Sequence, residues 1–195
     1  MRYDTEHKQR THEKIVREAA KAIRQQGPDK VGIASLMTRL GLTQGGFYAH
    51  FKSKNILIAE AITHIFDERN EAFQEIMKDV DPAEGLAKFI DRYLSTQHRD
   101  RRDKGCPVVA LNSDLARMPA VAKKRFEAGM QRMTESLADI MKKLNKPHPH
   151  ALATSIFTEM VGAMAVARIV SNTDLSEQIL ETARASIKER VGLNT

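Results

Sequence analysis

The chain has a single cysteine, Cys106, and no tryptophan. One thiol excludes an internal disulfide and a cysteine-rich zinc site, and it fits a reducing compartment. Aromatic side chains make up only 5% of the 195 residues. No apolar run of about 18 residues is present, so no membrane-spanning segment is expected. The opening MRYDTEHKQRTHEK lacks the apolar stretch of a secretory signal, and a cytoplasmic location is expected. No nucleophile elbow, glycine-rich phosphate loop, HExxH or paired-cysteine motif occurs, which argues against an enzyme and against a cofactor. His148 and His150, with His98, are too sparse a set for a closed metal site. Glu68 with Glu71, and His64 with Asp67, have the three-residue spacing common on solvated helix faces.

What the chain does contain is an ordinary apolar fraction, 42%, and 29% charged residues, the composition of a folded globular protein. The net charge of +6 is concentrated. Residues 1–55 hold eleven Lys and Arg against five Asp and Glu, while residues 56–195 hold twenty of each. A basic head on a neutral body suits a polyanion, because cations that neutralise phosphates release condensed counterions.

Helical periodicity dominates, and strand-like alternation is nearly absent. Ile15, Ala19, Ala20 and Ile23 share one face of a first helix that ends near Gly27 and Pro28. A short helix with Ile33, Leu36, Met37 and Leu40 inward is closed by Gly41. Thr43 caps a third, whose Phe47 and Phe51 lie four apart. A long fourth helix carries Ile56, Leu57, Ile62, Ile65, Phe66, Phe73 and Ile76. Asp81, Pro82 and Glu84 restart the chain with the cap, first-position proline and acidic third residue of a helix start. The stretch RDRRDKG at 99–105 reads as a surface loop. Pro107 and Pro119 open further helices, and KPHPH at 146–150 is another break. Two last helices run from about Pro149 to Ser171 and from Asp174 to Arg190, with Asp174 and Glu177 spaced as a capping box. The expected fold is all-α, with nine helices in two domains: a three-helix head over 1–54 and a helical body over 55–195.

A short helix, a glycine-containing turn and a second short helix between Gly32 and Phe51, inside the basic segment, form a helix-turn-helix pattern. Its second helix would enter the major groove, and Gly45 and Gly46 leave room for close backbone approach. The string GIASLMTRLGLTQGGFYAHFKSKNIL at 32–57, above all Leu40-Gly41-Leu42, Gly46-Phe47-Tyr48, His50-Phe51 and Lys52-Ser53-Lys54, resembles the DNA-binding head of the TetR family of bacterial one-component regulators. The resemblance covers residues 12–62. It implies that Thr43, Gln44 and Gly45 reach base edges, with Gln44 suited to adenine, and that Tyr48, His50 and Lys54 hold phosphates. Packing at the helix end is the competing role for His50. Gly32 and Met37 depart from the family pattern, which often has a hydroxyl at the first position and a small Ala at the second.

The same resemblance implies a homodimer built on the last two helices, a double-stranded palindromic operator and a small-molecule effector site among the middle helices. Small residues in the eighth helix, Gly162, Ala163, Ala165, Val166 and Ala167, with Val170, permit close helix approach. Phe66, Tyr93, Phe126, Met130, Met133, Phe157 and Met160 are candidate pocket residues, with plain core as their alternative. Cys106 follows Arg101, Arg102 and Lys104 and precedes Pro107, an electropositive helix-start setting in which reactive cysteines occur, so it is a candidate redox or electrophile sensor; a buried, inert thiol is the alternative. The implied function is that of a dimeric, ligand-responsive transcriptional regulator, more often a repressor, released by a small molecule or an electrophile.

Overall fold

The computed structural model describes residues 2–111, 113–114 and 117–193, the side chains of 2–5 excepted, and among these residues nine α-helices follow one another. They are α1 (Arg2–Gln26), α2 (Ile33–Arg39), α3 (Lys54–Met77), α4 (Pro82–Tyr93), α5 (Thr96–Asp100), α6 (Pro107–Leu111), α7 (Ala120–Lys143), α8 (Pro149–Ile169) and α9 (Thr173–Val191). Short 3-10 turns occupy Gln44–Ala49 and Arg102–Lys104. No strand occurs among the described residues.

Local chemistry accounts for most helix boundaries. Gly41 takes φ 69° just past α2, a conformation a Cβ would strain. Thr43 Oγ1 accepts the Gly46 N–H at 3.3 Å, and Asp81 Oδ1 accepts the Ala83 N–H at 2.8 Å. These oxygens satisfy N–H groups that have no partner within their helices. Three expectations need correction. The third helix winds as a 3-10 turn, where two consecutive glycines give little support to an α-helix. The charged 99–105 stretch is largely helical, because Ser95 caps α5 and Arg168 of α8 donates from Nε and Nη2 to the carbonyls of Arg99 and His98 at 3.1 and 3.0 Å. Asn172, rather than Asp174, caps α9, its Oδ1 accepting the Leu175 N–H at 2.9 Å.

Two apolar cores share α3. The first joins Ile15, Ala19 and Ile23 of α1 with Leu36, Met37, Phe47 and Phe51, the α3 residues from Leu57 to Phe66, and Leu111, Met118, Ala122 and Phe126 from beyond the head. The second joins Phe73 to α4, α7, α8 and α9 through Leu86, Phe89, Met133, Leu137, Phe157, Met160 and Leu180. At about 1.5 Å per residue, the 24 residues of α3 span about 36 Å, so one helix reaches from head to body. Arg24 of α1, its side chain only 6% exposed, donates to Glu68 of α3 at 2.7 Å and ties the head to that shaft. Asp67 likewise pairs with Arg132 of α7 at 2.8 Å, so two carboxylates read from sequence as solvated are structural partners.

The expectation that no segment could cross a membrane meets one exception. By length and composition α8 is apolar enough, with a mean hydropathy of 1.4 over its best window. Ala153, Ile156, Phe157, Met160, Met164 and Ala167 go into the second core, which explains part of that apolarity.

Candidate nucleic-acid interface and ligand cavity

The 44–49 turn has two unlike faces. Phe47 and Phe51 are buried beneath it with their rings stacked 5.4 Å apart, and His12 of α1 stacks on Phe51 at 4.4 Å. This underside fastens the turn to α1. Gln44 and Gly45 are exposed on the other side, and Tyr48 is 65% exposed with its ring edge-on to Phe47. Gly45 has open space where a Cβ would stand. Gly46 does not: a Cβ there would lie 3.4 Å from Thr43 Oγ1 and 3.8 Å from Met37 Cε. The fully buried Met37 thus packs beneath Gly46, at a distance where a Cβ would make only an ordinary contact with it.

His50 and Lys54 are less free than sequence suggests. His50 is half-buried with Nδ1 unpartnered, and burial, followed by electrostatic repulsion from His12, Lys8 and His7, holds its pKa below the ordinary histidine value. Lys54 Nζ donates to the Asp29 carbonyl at 3.1 Å, bracing the connection between α1 and α2. Lys52, part of the family-like string but given no contact role from sequence, is exposed.

In the body a cavity of about 270 Å³ opens among α3, α4, α7 and the α5–α6 region, lined by Phe66, Tyr93, Met133 and Phe157 of the candidate set. Phe126 instead packs edge-on against Phe66, Met160 is fully buried core and Met130 packs against both cores, all three away from the lining. Cys106 is on the cavity wall and only 5% exposed. Its backbone N–H donates to His98 Nε2 at 3.1 Å, while His98 Nδ1 lies 2.7 Å from the Tyr93 carbonyl. A ring that accepts at one nitrogen and donates at the other is neutral. The wall also carries Arg101 and Lys104, read from sequence as the electropositive setting of Cys106, and Arg69 and Arg92, which sequence reasoning missed. Arg69 left a usable signal, since it continues the Ile62, Ile65, Phe66, Phe73 stripe of α3 as a cation within an apolar face.

His148 and His150 lie at the start of α8, where His150 Nδ1 is 3.3 Å from Glu135, while His98 is in the cavity wall. Among the described residues no three His, Cys, Asp or Glu side chains cluster as a metal site.

Residues 15–61 match the model of the bacterial regulatory proteins of the tetR family, and residues 82–183 match the tetracyclin repressor-like C-terminal domain. The chain belongs to the TetR family. The head is also 38% identical over 61 residues to an uncharacterized HTH-type transcriptional regulator, YvdT, of Bacillus subtilis, of which the match covers 31% and of this chain 29%. The chain thus aligns with less than a third of that relative's length. Similar solved structures include the reduced form of E. coli NemR, at 17% identity and a TM-score of 0.81, covering 92% of this chain and 95% of that one. A TetR regulator from Chloroflexus aurantiacus has 24% identity and a TM-score of 0.78, covering 98% and 97%. These likenesses show a common fold across head and body. The protein is thus a TetR-family transcriptional regulator with a helix-turn-helix head.

Proposed function

We propose that the protein is a homodimeric repressor that leaves a palindromic operator when a small molecule occupies the body cavity. The observation that carries this reading is the exposed Gln44–Tyr48 face at one end of α3 and a cavity against the same helix farther along. In this reading Thr43, Gln44 and Gly45 meet base edges, Gln44 specifying adenine, while Tyr48, His50 and Lys54 meet phosphates. Two heads on one dimer address half-sites about 34–36 Å apart or a multiple of it. An effector that prefers a different spacing of the heads lowers operator affinity by its differential binding to the two arrangements.

The dimer reading draws on α8 and α9. Ala151, Ser155, Thr158, Gly162, Val166 and Ile169 fall on one helical face of α8 and are exposed. Val166, Ile169 and Leu175 are 44%, 81% and 47% exposed, large apolar side chains with no cover in the single chain. Small residues beside uncovered apolar ones suit a close helix–helix interface. Ile169→Glu is expected to give a monomer in sedimentation and to weaken operator binding. A variant that remains dimeric with unchanged affinity refutes the assignment. The operator itself is to be selected from random duplexes, and equal binding to scrambled sequence would reduce the head to phosphate attraction.

Cys106 is the point at which an electrophilic effector acts in this reading, reached through the cavity. Alkylation is expected to lower operator affinity. A thiol that resists native-state titration, or unchanged affinity after modification, removes that role.

A further inference from the structure

The cavity wall is one-sided in charge. Arg69, Arg92, Arg101 and Lys104 line it with no acidic residue among its lining side chains. None of the four has a carboxylate within ion-pairing distance among the described residues, whereas other cations of the body do: Lys188 meets Asp91 and Arg132 meets Asp67. Arg92, Arg101 and Lys104 are exposed at the rim, and Arg69 is set deeper. Two polar atoms inside are shielded from solvent and poorly served, Arg69 Nε with no hydrogen-bond partner and the Tyr93 hydroxyl with only the weakly interacting Cys106 thiol beside it. Leaving such donors unsatisfied is costly, and a built site supplies their partner from elsewhere. Glu68, the carboxylate next in sequence, is committed to Arg24. The rings of Phe66, Phe73, Phe89 and Phe157 make up much of the remaining lining. The volume, about 270 Å³, is at the small end of ligand sites.

We infer that the effector is a small organic carboxylate with an apolar ring or short chain, its head held by Arg69 and the Tyr93 hydroxyl and its body on the phenylalanines. This rests on the cavity being the effector site. Arg69 presents a charged donor to a carboxylate oxygen, and the tyrosine hydroxyl donates a second hydrogen bond. The rim cations raise the local concentration of anions at the mouth. Neutral His98 adds no charge of its own.

The test uses the full-length protein and a matched set of probes of one shape: benzoate, benzamide and benzylamine, with phenylacetate and its amide as a longer pair. Calorimetric titration near pH 7.5 is expected to show each acid binding roughly ten- to a hundredfold tighter than its amide, the size of one charge-assisted contact. The amine is expected not to bind. Arg69→Gln should bring acid and amide within about threefold, and Tyr93→Phe should reduce the gap more modestly. The exposed Arg101→Gln serves as a second variant with little demand on folding, and it should slow association of the acid and steepen no amide binding. Amides or amines binding as tightly as acids, or no acid binding at millimolar concentration, overturns the inference. Operator binding measured in parallel separates the two readings. An acid that binds without changing operator affinity upholds the carboxylate site and refutes effector release from it, whereas a neutral compound that releases DNA while acids do not bind refutes the carboxylate and upholds the regulator.

Discussion

His98 offers a quantitative test of how the cavity wall is held. Its ring lies between the Cys106 N–H, 3.1 Å from Nε2, and the Tyr93 carbonyl, 2.7 Å from Nδ1. Protonation would place a second donor against the Cys106 N–H and unmake that bond. Burial brings its pKa from 6.5 to about 4, against the favourable Tyr93 carbonyl and with Arg168, Arg69 and Arg92 adding to the depression. Below pH 6.5 the unfolded chain therefore binds more protons at this site than the folded one. Stability from neutral His98 is full above pH 6.5 and is lost as the pH falls toward 4. At about 1.4 kcal/mol per pH unit, the whole loss is about 3 kcal/mol, of which about 2 kcal/mol has gone by pH 5. In a chain of this size that is a fall in Tm of about 4–8 °C between pH 7.5 and 5 from this residue alone. Thermal or urea unfolding of wild type and His98→Asn at both pH values isolates it, since other groups titrate in both proteins. The variant should be less stable at pH 7.5 and lose less on acidification. Equal losses in the two proteins would refute the neutral, doubly bonded His98.

In the head, Gln44→Ala is expected to relax base preference, while Lys54→Ala weakens specific and non-specific DNA alike and lowers the salt slope by about 0.9; an unchanged slope would assign Lys54 to its Asp29 contact alone. Gly129→Ala would put a Cβ 2.3 Å from the Phe66 ring, driving that ring toward the cavity. Overpacking of about 1–3 kcal/mol, offset by about 1 kcal/mol of helix propensity, should lower Tm by a few degrees and weaken carboxylate binding together, and a variant as stable as wild type with full binding would contradict the packing. Arg24→Gln leaves Glu68 beside Arg69 without its partner in the head, so ligand binding should persist while its effect on operator affinity shrinks several-fold, measured by fluorescence titration with and without ligand. Full coupling in that variant would remove the ion pair from the link.

Much of this architecture was determined by the sequence alone, because its causes are local. A side-chain oxygen at Thr43 or Asp81 caps the turn immediately after it, Gly41 ends α2 by its own backbone freedom, and the 3.6-residue spacing of Ile15, Ala19 and Ile23 marks the buried face of α1 wherever that face packs. The helix-turn-helix was legible for the same reason, being contiguous over some twenty residues. Only the tertiary structure decided the rest. Asn172 and Asp174 both carry capping oxygens, and the choice between them depends on where the chain leaves α8. The helix at 96–100 has a local cap in Ser95, but its five residues are held in place by Arg168, about seventy residues away. An apolar residue's spacing says that it faces inward but not whether core or cavity lies there, which is why Phe66 lines the pocket and Phe126 only supports it. The meeting of Arg69, Tyr93, His98 and Cys106 at one wall likewise belongs to packing, since these side chains come from separate segments that only the folded chain brings together.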